Sequence, residues 1–295
     1  MSTIIIICRN TDGCFPTNSQ AWLHNKCGNV SIPYPFGIGE GCFLEESFEL
    51  RCHNSIPVDR QKPMHGGFYV SEISIAGGYM ITDFSISTHC PNNQIQNFGY
   101  SIADSFSKKF TFSATRNKLT AIGCNTYAYL GLNSSTYTAV GCMPLCNRGV
   151  VSTNGSCTGS GCCQASVPAG LRKFTLTTGS LNEIQALPSS NPCSYAFLVE
   201  SNSFEFFSSY LQNFKDNGTE SVPVAIDWKV GTETCWKAQR NSKSYACGPN
   251  TECVEGDAPG YRCECKRGHE GHPYSNRTTD GRCQGNNYCI LLEIR

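Results

Sequence analysis

Apolar and polar residues alternate in short stretches along the chain, and these stretches are rich in β-branched and aromatic side chains. The clearest are residues 68–75 and 79–87, which lie on either side of Gly77-Gly78. Two β-rich stretches joined by a glycine turn predict a hairpin. Residues 110–113, with the sequence FTFS, alternate as a half-buried strand does. The pattern therefore predicts a mostly β fold.

Later stretches continue this strand composition, and one of them overlaps a helical pattern. The strand-like stretches are FTLTT at 174–178, YAFLVE at 195–200, FEFF at 204–207 and VPVAIDW at 222–228. Residues 205–215 could instead form one short helix, because they place four large apolar side chains at helical spacing: Phe207, Tyr210, Leu211 and Phe214. The sequence shows no long helix.

Cysteine changes this picture most, because 20 of the 295 residues are cysteine. Such a content predicts disulfide bonds and an oxidising compartment. Zinc is the weaker alternative, since paired C-x-x-C knuckles with a fixed spacer are missing and the histidines do not fall at ligand spacing. We therefore expect no metal and no other cofactor. Five N-x-S/T sequons support secretion and predict glycosylation, at Asn29, Asn133, Asn154, Asn217 and Asn276.

Charge and hydropathy exclude other classes of protein. The formal net charge is zero, so no strong field draws the chain to nucleic acid or to an anionic membrane. No apolar run approaches the roughly 20 residues that cross a bilayer. Residues Met1–Cys8 look like part of a signal sequence, but they are too short and lack a basic start. We expect an extracellular protein whose export signal is incomplete in this sequence.

Two cysteine-rich stretches predict irregular structure held by disulfide bonds. In CGNVSIPYPFGIGEGC at 27–42, the prolines and glycines predict a compact turning loop, with Tyr34 and Phe36 on one side if the chain is extended. Residues 142–163 hold five cysteines among glycines and predict an irregular disulfide knot. Because Cys162 and Cys163 are adjacent, we expect them to pair with different partners.

The order of motifs resembles the ectodomain of plant wall-associated receptor kinases. The stretches that carry the resemblance are CGNVSIPYPFGIGEGC at 27–42, FTFSATRNKLTAIGC at 110–124, GCC at 161–163, CSYAFLVE at 193–200, VPVAIDW at 222–228 and YACGPNTEC…GYRCEC at 245–265. The resemblance covers the chain from about Cys14 to Cys283. The resemblance implies a galacturonan-binding domain followed by epidermal-growth-factor-like (EGF-like) repeats. In the family these lie outside the cell, ahead of a membrane helix and a kinase.

The last six cysteines of this span resemble an EGF-like module, with Gly260-Tyr261 ahead of the C-x-C pair. The resemblance implies three bonds, Cys235–Cys253, Cys247–Cys263 and Cys265–Cys283. The calcium-binding form of the module carries acidic residues just before its first cysteine. This chain has Val230-Gly231-Thr232-Glu233-Thr234 there, so we expect no calcium site. The pairing of the twelve cysteines from Cys14 to Cys193 stays open.

The chain is therefore divided into a disulfide-rich, irregular β-rich galacturonan-binding-type region and a small EGF-like module. The predicted boundaries are a leader stub at 1–13, the galacturonan-binding domain at 14–130, a second cysteine-rich β subdomain at 131–234, the EGF-like module at 235–284 and a truncated further repeat or aberrant tail at 285–295.

The implied ligand is pectin, a polyanion, whose carboxylates require Lys or Arg and whose sugar rings suit aromatic faces. The first group of candidates flanks the FTFS strand, and on an extended segment Arg116 and Lys118 would share a face. The second group lies near the 27–42 loop. The candidate ligand-binding residues are Lys108, Lys109, Arg116, Lys118, Arg51, Arg60, Lys62, Tyr34 and Phe36. For each charge the alternative is an ordinary solvated surface position, and for each ring it is core packing.

Catalysis is not expected, because no catalytic motif is visible and the cysteines are committed to bridges. A protein-interaction ectodomain that uses the EGF-like module is the main alternative to sugar binding. A soluble, kinase-less decoy is the third possibility.

Overall fold

The computed structural model describes the chain in twelve stretches: 26–52, 61–90, 96–97, 99–102, 106–131, 139–146, 154–181, 193–214, 220–242, 244–256, 259–274 and 282–285. The chain divides into two compact units, and each is assembled from separate stretches of sequence. Unit 1 contains residues 1–65, 72–78 and 228–295. Unit 2 contains residues 66–71 and 79–227.

Strands dominate both units, which confirms the mostly β, disulfide-rich fold class. They are β1 Lys26–Cys27, β2 Val30–Ser31, β3 Arg51–Cys52, β4 Pro63–His65, β5 Phe68–Ser74, β6 Tyr79–Ser85, β7 Ser87–His89, β8 Gln96–Asn97, β9 Gly99–Ile102, β10 Phe110–Phe112, β11 Asn117–Ile122, β12 Thr126–Gly131, β13 Ala139–Cys142, β14 Cys162–Ser166, β15 Phe174–Ser180, β16 Ser194–Glu200, β17 Ser221–Trp228, β18 Thr251–Val254, β19 Arg262–Cys265, β20 His269–Glu270 and β21 Gln284–Gly285. The helices are α1 Tyr210–Asn213, α2 Cys235–Ala238 and short 3₁₀ turns at Glu46–Phe48 and Ser201–Ser203.

Unit 2 contains two packed sheets. One has the strand order β14-β11-β16-β7-β8, the other β13-β12-β15-β9, and β15 packs against β16 between them. Strand β16 is buried at every position because it is paired on both sides and covered on both faces. A third group of neighbouring strands, β10-β17-β6, completes the unit.

An aromatic segment covers the outer face of the five-stranded sheet. Phe204 and Phe214 both pack against Phe197 of β16, with ring centroids 5.4 Å apart in each pair. The prediction of a strand at 204–207 is therefore wrong, because these side chains cover the sheet instead of extending it. The chain turns away after β16, where the Glu200 carboxylate accepts hydrogen bonds from the Asn202 N–H and the Ser203 hydroxyl, both at 2.9 Å.

A buried asparagine fixes the start of β11. The Asn117 side chain donates to the Ala225 carbonyl at 2.7 Å and accepts from the Ala225 N–H at 2.9 Å. The Ser113 N–H also donates to the Ala225 carbonyl, and the Asn117 N–H closes a turn onto Ser113. Both polar groups of Ala225 are satisfied by one amide, so the turn 113–117 is held against β17.

The core of unit 1 is an aromatic cluster. Phe36 packs edge-on against Phe48 and Trp228, at 5.1 and 5.3 Å between ring centroids, and Trp228 contacts Tyr274 at 5.7 Å. The 27–42 loop reaches this core by a tight turn at Gly37, where a Cβ would overlap the Cys42 carbonyl. A cis peptide bond joins Tyr34 to Pro35 within this loop.

The EGF-like module joins unit 1 through its own hydrogen bonds. Val230 exchanges two backbone hydrogen bonds with Tyr261 of the module, at 2.8 and 3.0 Å. Inside the module, the Cys263 N–H donates to the Tyr274 hydroxyl at 2.9 Å, and the Tyr274 ring contacts Trp228. The structure contains the bonds Cys235–Cys253, Cys247–Cys263 and Cys265–Cys283, the same pairs that the resemblance implies.

The remaining described disulfides are Cys27–Cys52, Cys90–Cys193, Cys124–Cys146, Cys142–Cys163 and Cys157–Cys162. Cys162 and Cys163 therefore have different partners, as predicted. The expected irregular knot at 142–163 is only partly right, because β14 begins at Cys162. Pairing of Cys162 and Cys163 with Ile122 and Ala121 of β11 makes that strand regular.

The compact units follow contacts in space, whereas the predicted domain boundaries follow the sequence. Residues 23–65 and 228–295 belong to the same unit, although the predicted boundaries place them in different domains. The boundaries at 130 and 234 stay a prediction. The predicted leader at 1–13 and most of the predicted tail at 285–295 lie outside the described residues.

Candidate functional site

One exposed basic face lies on the β3–β4 pair of unit 1. Arg51 is the cross-strand partner of Met64, and Lys62 precedes Met64 by two positions, so the two basic side chains share a face. Burial supports this, since Arg51 and Lys62 are exposed while Pro63 and His65 are buried. Arg60, the third candidate of this group, lies outside the described residues.

A further basic residue, Lys26, is brought close to Arg51 by the Cys27–Cys52 bond. The two cysteines have Cα atoms 5.8 Å apart. Since neighbouring Cα atoms are about 3.8 Å apart, the Cα atoms of Lys26 and Arg51 lie within about 13 Å of each other. Lys26 is also exposed. We call Lys26, Arg51 and Lys62 the basic face.

The predicted cluster around the FTFS strand is dispersed by the fold. Arg116 lies in a turn and not on an extended segment, and its guanidinium carbon lies 3.8 Å from the centroid of the Tyr79 ring. Lys118, at the start of β11, donates from Nζ to the Ser166 hydroxyl at 3.0 Å. The expectation that Arg116 and Lys118 share a face of one strand is therefore wrong, because the turn 113–117 ends at Asn117.

The carboxylate of Asp227 makes Arg116 a weaker candidate for sugar binding. Asp227 is the cross-strand partner of Tyr79, over which the Arg116 guanidinium lies. A carboxylate on the protein so near this cation competes with a sugar carboxylate for it.

Lys108 and Lys109 gain two basic neighbours that the sequence does not reveal. The Phe112 N–H donates to the Leu171 carbonyl at 2.7 Å, which brings the segment carrying Arg172 and Lys173 alongside β10. Lys108 and Lys173 are exposed. Burial lowers the pKa of the Lys109 ammonium below its usual value. This second basic region is built from residues sixty positions apart, and no local pattern joins them.

The two aromatic candidates have different positions. Tyr34 is 37% exposed, and its ring lies 6.5 Å from that of His272, so it can still meet a ligand. Phe36 is 1% exposed within the core of unit 1. Its assignment as a sugar-binding ring is wrong in this structure, since the side chain is buried among Phe48, His65 and Trp228.

His65 lies beneath the basic face and is buried. Burial lowers the pKa of His65, and a hydrogen bond to the Glu49 carbonyl at 3.2 Å opposes this shift in part. The unfolded chain therefore takes up a proton at His65 at higher pH than the folded chain does. Stability contributed by this residue is complete above the unfolded pKa of about 6.5 and is lost as the pH falls towards the folded pKa.

We expect the free energy of unfolding to fall between pH 7.5 and pH 5.5, and to fall less in His65→Asn. The asparagine amide can keep a donor towards the Glu49 carbonyl but does not titrate. Urea unfolding at both pH values measures the difference. An equal fall in the two proteins would assign the pH dependence to other groups.

Two of the predicted glycosylation sequons are described. Asn29 is exposed in the turn between β1 and β2, and Asn154 is exposed but accepts a hydrogen bond from the Ser208 N–H at 2.8 Å. Asn133, Asn217 and Asn276 lie outside the described residues. Glycosylation at all five stays a prediction.

Two further structural findings concern the described stretches alone. They contain no cluster of three or more metal-ligating side chains. Their helices are also too short to span a bilayer.

Comparison with known proteins found a matching family model and several related proteins. Residues 23–83 match the model described as wall-associated receptor kinase galacturonan-binding. Wall-associated receptor kinases 2 and 4 of Arabidopsis thaliana are each 34% identical to the chain, over 268 and 269 residues. Wall-associated receptor kinase 1 of the same plant is 32% identical over 275 residues. Each alignment covers 90% of this chain and 34% of the relative.

These matches confirm the resemblance to a wall-associated receptor kinase ectodomain. The chain spans about a third of the length of these relatives. No solved structure matches it. The basic face lies within the matched residues 23–83, whereas the second basic region lies beyond them.

Proposed function

We propose that this chain, a relative of the wall-associated receptor kinases with their galacturonan-binding domain, binds acidic pectic polysaccharide outside the cell as part of a non-catalytic receptor ectodomain. The observation that carries the proposal is the galacturonan-binding match at residues 23–83. The exposed basic face of Lys26, Arg51 and Lys62 lies within that segment. Tyr34, exposed in the same unit, is the candidate ring for a sugar.

A polyanion has to bind at a local group of basic residues, because the matched segment is acidic as a whole. Residues 23–83 contain four Lys or Arg and seven Asp or Glu. Arginine can hold a carboxylate through two hydrogen bonds, and a repeating ligand can contact several cations at once. We therefore expect affinity to rise with the length of the oligogalacturonide and to fall with salt.

Reversing two charges of the basic face tests this proposal. In Arg51→Glu/Lys62→Glu, we expect affinity for de-methylated oligogalacturonides to fall by about tenfold, since two favourable exposed contacts become repulsive. The salt dependence of the remaining binding should be weaker. Calorimetric titration of the secreted, oxidised protein at two salt concentrations measures both quantities.

The matched control is Lys266→Glu/Arg267→Glu, which makes the same change of net charge at two exposed positions of the EGF-like module. Its affinity should stay near that of the wild type. Equal losses in both double variants would indicate a general charge effect. Loss only when Lys108 and Lys109 are reversed would move the site to the second basic region.

A protein partner is the second candidate, favoured by one surface of the EGF-like module. Trp236 is 59% exposed, and the guanidinium carbon of Arg240 lies 3.6 Å from the centroid of its ring. Exposed Trp and Arg together are typical of protein-binding hot spots. A wild-type protein that binds no pectin would favour this function. New reducing ends released from galacturonan would instead contradict the non-catalytic part of the proposal.

A further inference from the structure

Two tyrosines stand on the solvent side of the four-stranded sheet of unit 2. Tyr127 and Tyr129 are two residues apart on β12, so both side chains lie on the same face. Their ring centroids are 6.3 Å apart and their planes differ by 17°. Tyr129 is 41% exposed, while Ala128 and Leu130 between and beside them are buried on the opposite face. We call this surface the tyrosine face.

Glycines on both neighbouring strands make room for these rings. Gly179 of β15 is the cross-strand partner of Tyr127, and Gly141 of β13 is that of Tyr129. A Cβ at Gly179 would overlap the Tyr127 phenol, so this ring extends across β15. A Cβ at Gly141 would lie 3.3 Å from the Tyr129 Cβ. The cross-strand neighbours of the two tyrosines therefore carry no side chain that would cover the rings.

Large apolar side chains continue the face beyond the ends of the strands. The Thr126 N–H donates to the Pro144 carbonyl, which continues the β12–β13 register and places Met143 on the side of Gly141. Likewise, the Leu181 N–H donates to the Asn125 carbonyl and places Leu181 on the side of Gly179. Met143 is 49% exposed and Leu181 45%. A contiguous exposed apolar patch is a candidate binding surface.

The tyrosine face is uncharged but not entirely apolar. The register places Thr175 and Thr177 beside the tyrosines, and the described face carries no Asp, Glu, Lys or Arg along β12, β13 and β15. Such a surface offers hydroxyl groups and aromatic carbon together. It disfavours a ligand with free carboxylates, because a charge desolvated there would meet no counter-charge.

The two packed sheets differ in what covers their outer faces. The five-stranded sheet is covered by the aromatic segment that follows β16, with Phe204 and Phe214 on Phe197. Within the described stretches, no segment makes a comparable aromatic contact with Tyr127 or Tyr129, which contact each other. Among the described residues, the tyrosine face is thus the outer sheet face without such an aromatic cover.

We propose that the tyrosine face binds uncharged stretches of galacturonan, in which the carboxylates are methyl-esterified. This inference rests on the proposed function, and it assigns a second surface to the same polysaccharide. The apolar faces of the sugar rings pack on Tyr127 and Tyr129, and methyl esters contact Met143 and Leu181. The charge matches, since esterification removes the charge that this face cannot balance.

A saccharide fits the tyrosine face better than a folded protein does. The glycines keep the surface around Tyr129 level, and a linear polysaccharide can lie along it. The neighbouring threonine hydroxyls can form hydrogen bonds with sugar hydroxyls. A protein partner is the competing occupant, and a dimer that Tyr129→Thr dissociates would identify it.

The test uses two galacturonan oligomers of equal length, one fully methyl-esterified and one fully de-esterified, titrated into the secreted protein. For Tyr129→Thr we expect about tenfold weaker binding of the esterified oligomer, the effect of removing an aromatic anchor. Binding of the de-esterified oligomer should not change. Binding of the esterified oligomer should also be insensitive to salt, because the contact involves no charge pair.

Tyr69→Thr is the matched control, since Tyr69 lies on β5 and is 44% exposed. It should leave both affinities unchanged. Leu181→Gln is a second variant at the edge of the face, for use if Tyr129→Thr lowers the unfolding midpoint. It should weaken binding of the esterified oligomer in the same direction.

The outcomes separate this inference from the proposed function. Wild-type binding of the de-esterified oligomer alone overturns the inference and leaves the function standing. Binding of the esterified oligomer alone, lost in Tyr129→Thr, supports the inference and overturns the carboxylate mechanism. Binding of neither overturns both. A wild-type dimer that Tyr129→Thr dissociates, with sugar binding unchanged, would make this face a protein interface and overturn the inference.

Discussion

Replacing Cys90 and Cys193 together by serine is expected to lower the free energy of unfolding by about 5 kcal/mol. This bond joins residues 103 positions apart, the longest loop among the described disulfides. It ties the end of β7 to the residue before β16, which are paired strands at the centre of unit 2. Without the bond, the unfolded chain regains the conformational entropy that loop closure removes, and this favours unfolding.

The matched control is Cys157→Ser/Cys162→Ser, which opens a loop of sequence separation 5. Loop-closure entropy predicts a loss of about 2 kcal/mol for so short a loop. Urea unfolding followed by near-ultraviolet circular dichroism measures both values. Equal losses would show that contacts within the native state, and not the loop length, determine what each bond contributes. Since domains are stable by about 5–15 kcal/mol, the long-loop variant should also be secreted poorly.

Trp228→Ala is expected to cost about 3–5 kcal/mol, the usual range for a large aromatic residue removed from a core. Trp228 is fully buried and contacts Phe36, Phe48 and Tyr274. Its indole N–H has no hydrogen-bond partner within the described part of the chain. Trp228→Phe should therefore cost clearly less than Trp228→Ala, because it removes this desolvated donor while it keeps an aromatic ring.

Trp236→Ala provides the control for this pair, since Trp236 is exposed and should cost less than about 1 kcal/mol, mainly the loss of its contact with Arg240. Thermal and urea unfolding of the three variants give the comparison. If Trp228→Phe cost as much as Trp228→Ala, the buried N–H would have to be satisfied in solution.

Local patterns were sufficient for much of the fold. The strands at 68–74, 79–85, 110–112 and 174–180 alternate or concentrate β-forming residues, and they lie where the sequence predicts them. Strand β12 was not predicted. On one face it carries Tyr127, which is half-buried, and Tyr129, which is exposed, and its buried positions include Leu130, so both faces are apolar and no alternation of polarity is visible.

The candidate binding residues were harder to predict, because proximity in sequence differs from proximity in space. Arg116 and Lys118 are two positions apart, yet a turn and a strand hold them on different neighbours. Lys26 and Arg51 are far apart in sequence, and the Cys27–Cys52 bond brings them together. Cysteine pairing in this region cannot be read from spacing, so the second result could not have been foreseen.

The aromatic core of unit 1 has a consequence for how this chain and its relatives diversify. Phe36 comes from the segment that matches the galacturonan-binding family model, while Trp228 and Tyr274 come from the last third of the chain. A recombination event that joined the first two hundred residues of one relative to the remaining residues of another would separate rings that pack together. Viable chimaeras should therefore inherit both stretches from one parent, and the two should evolve as a single heritable block.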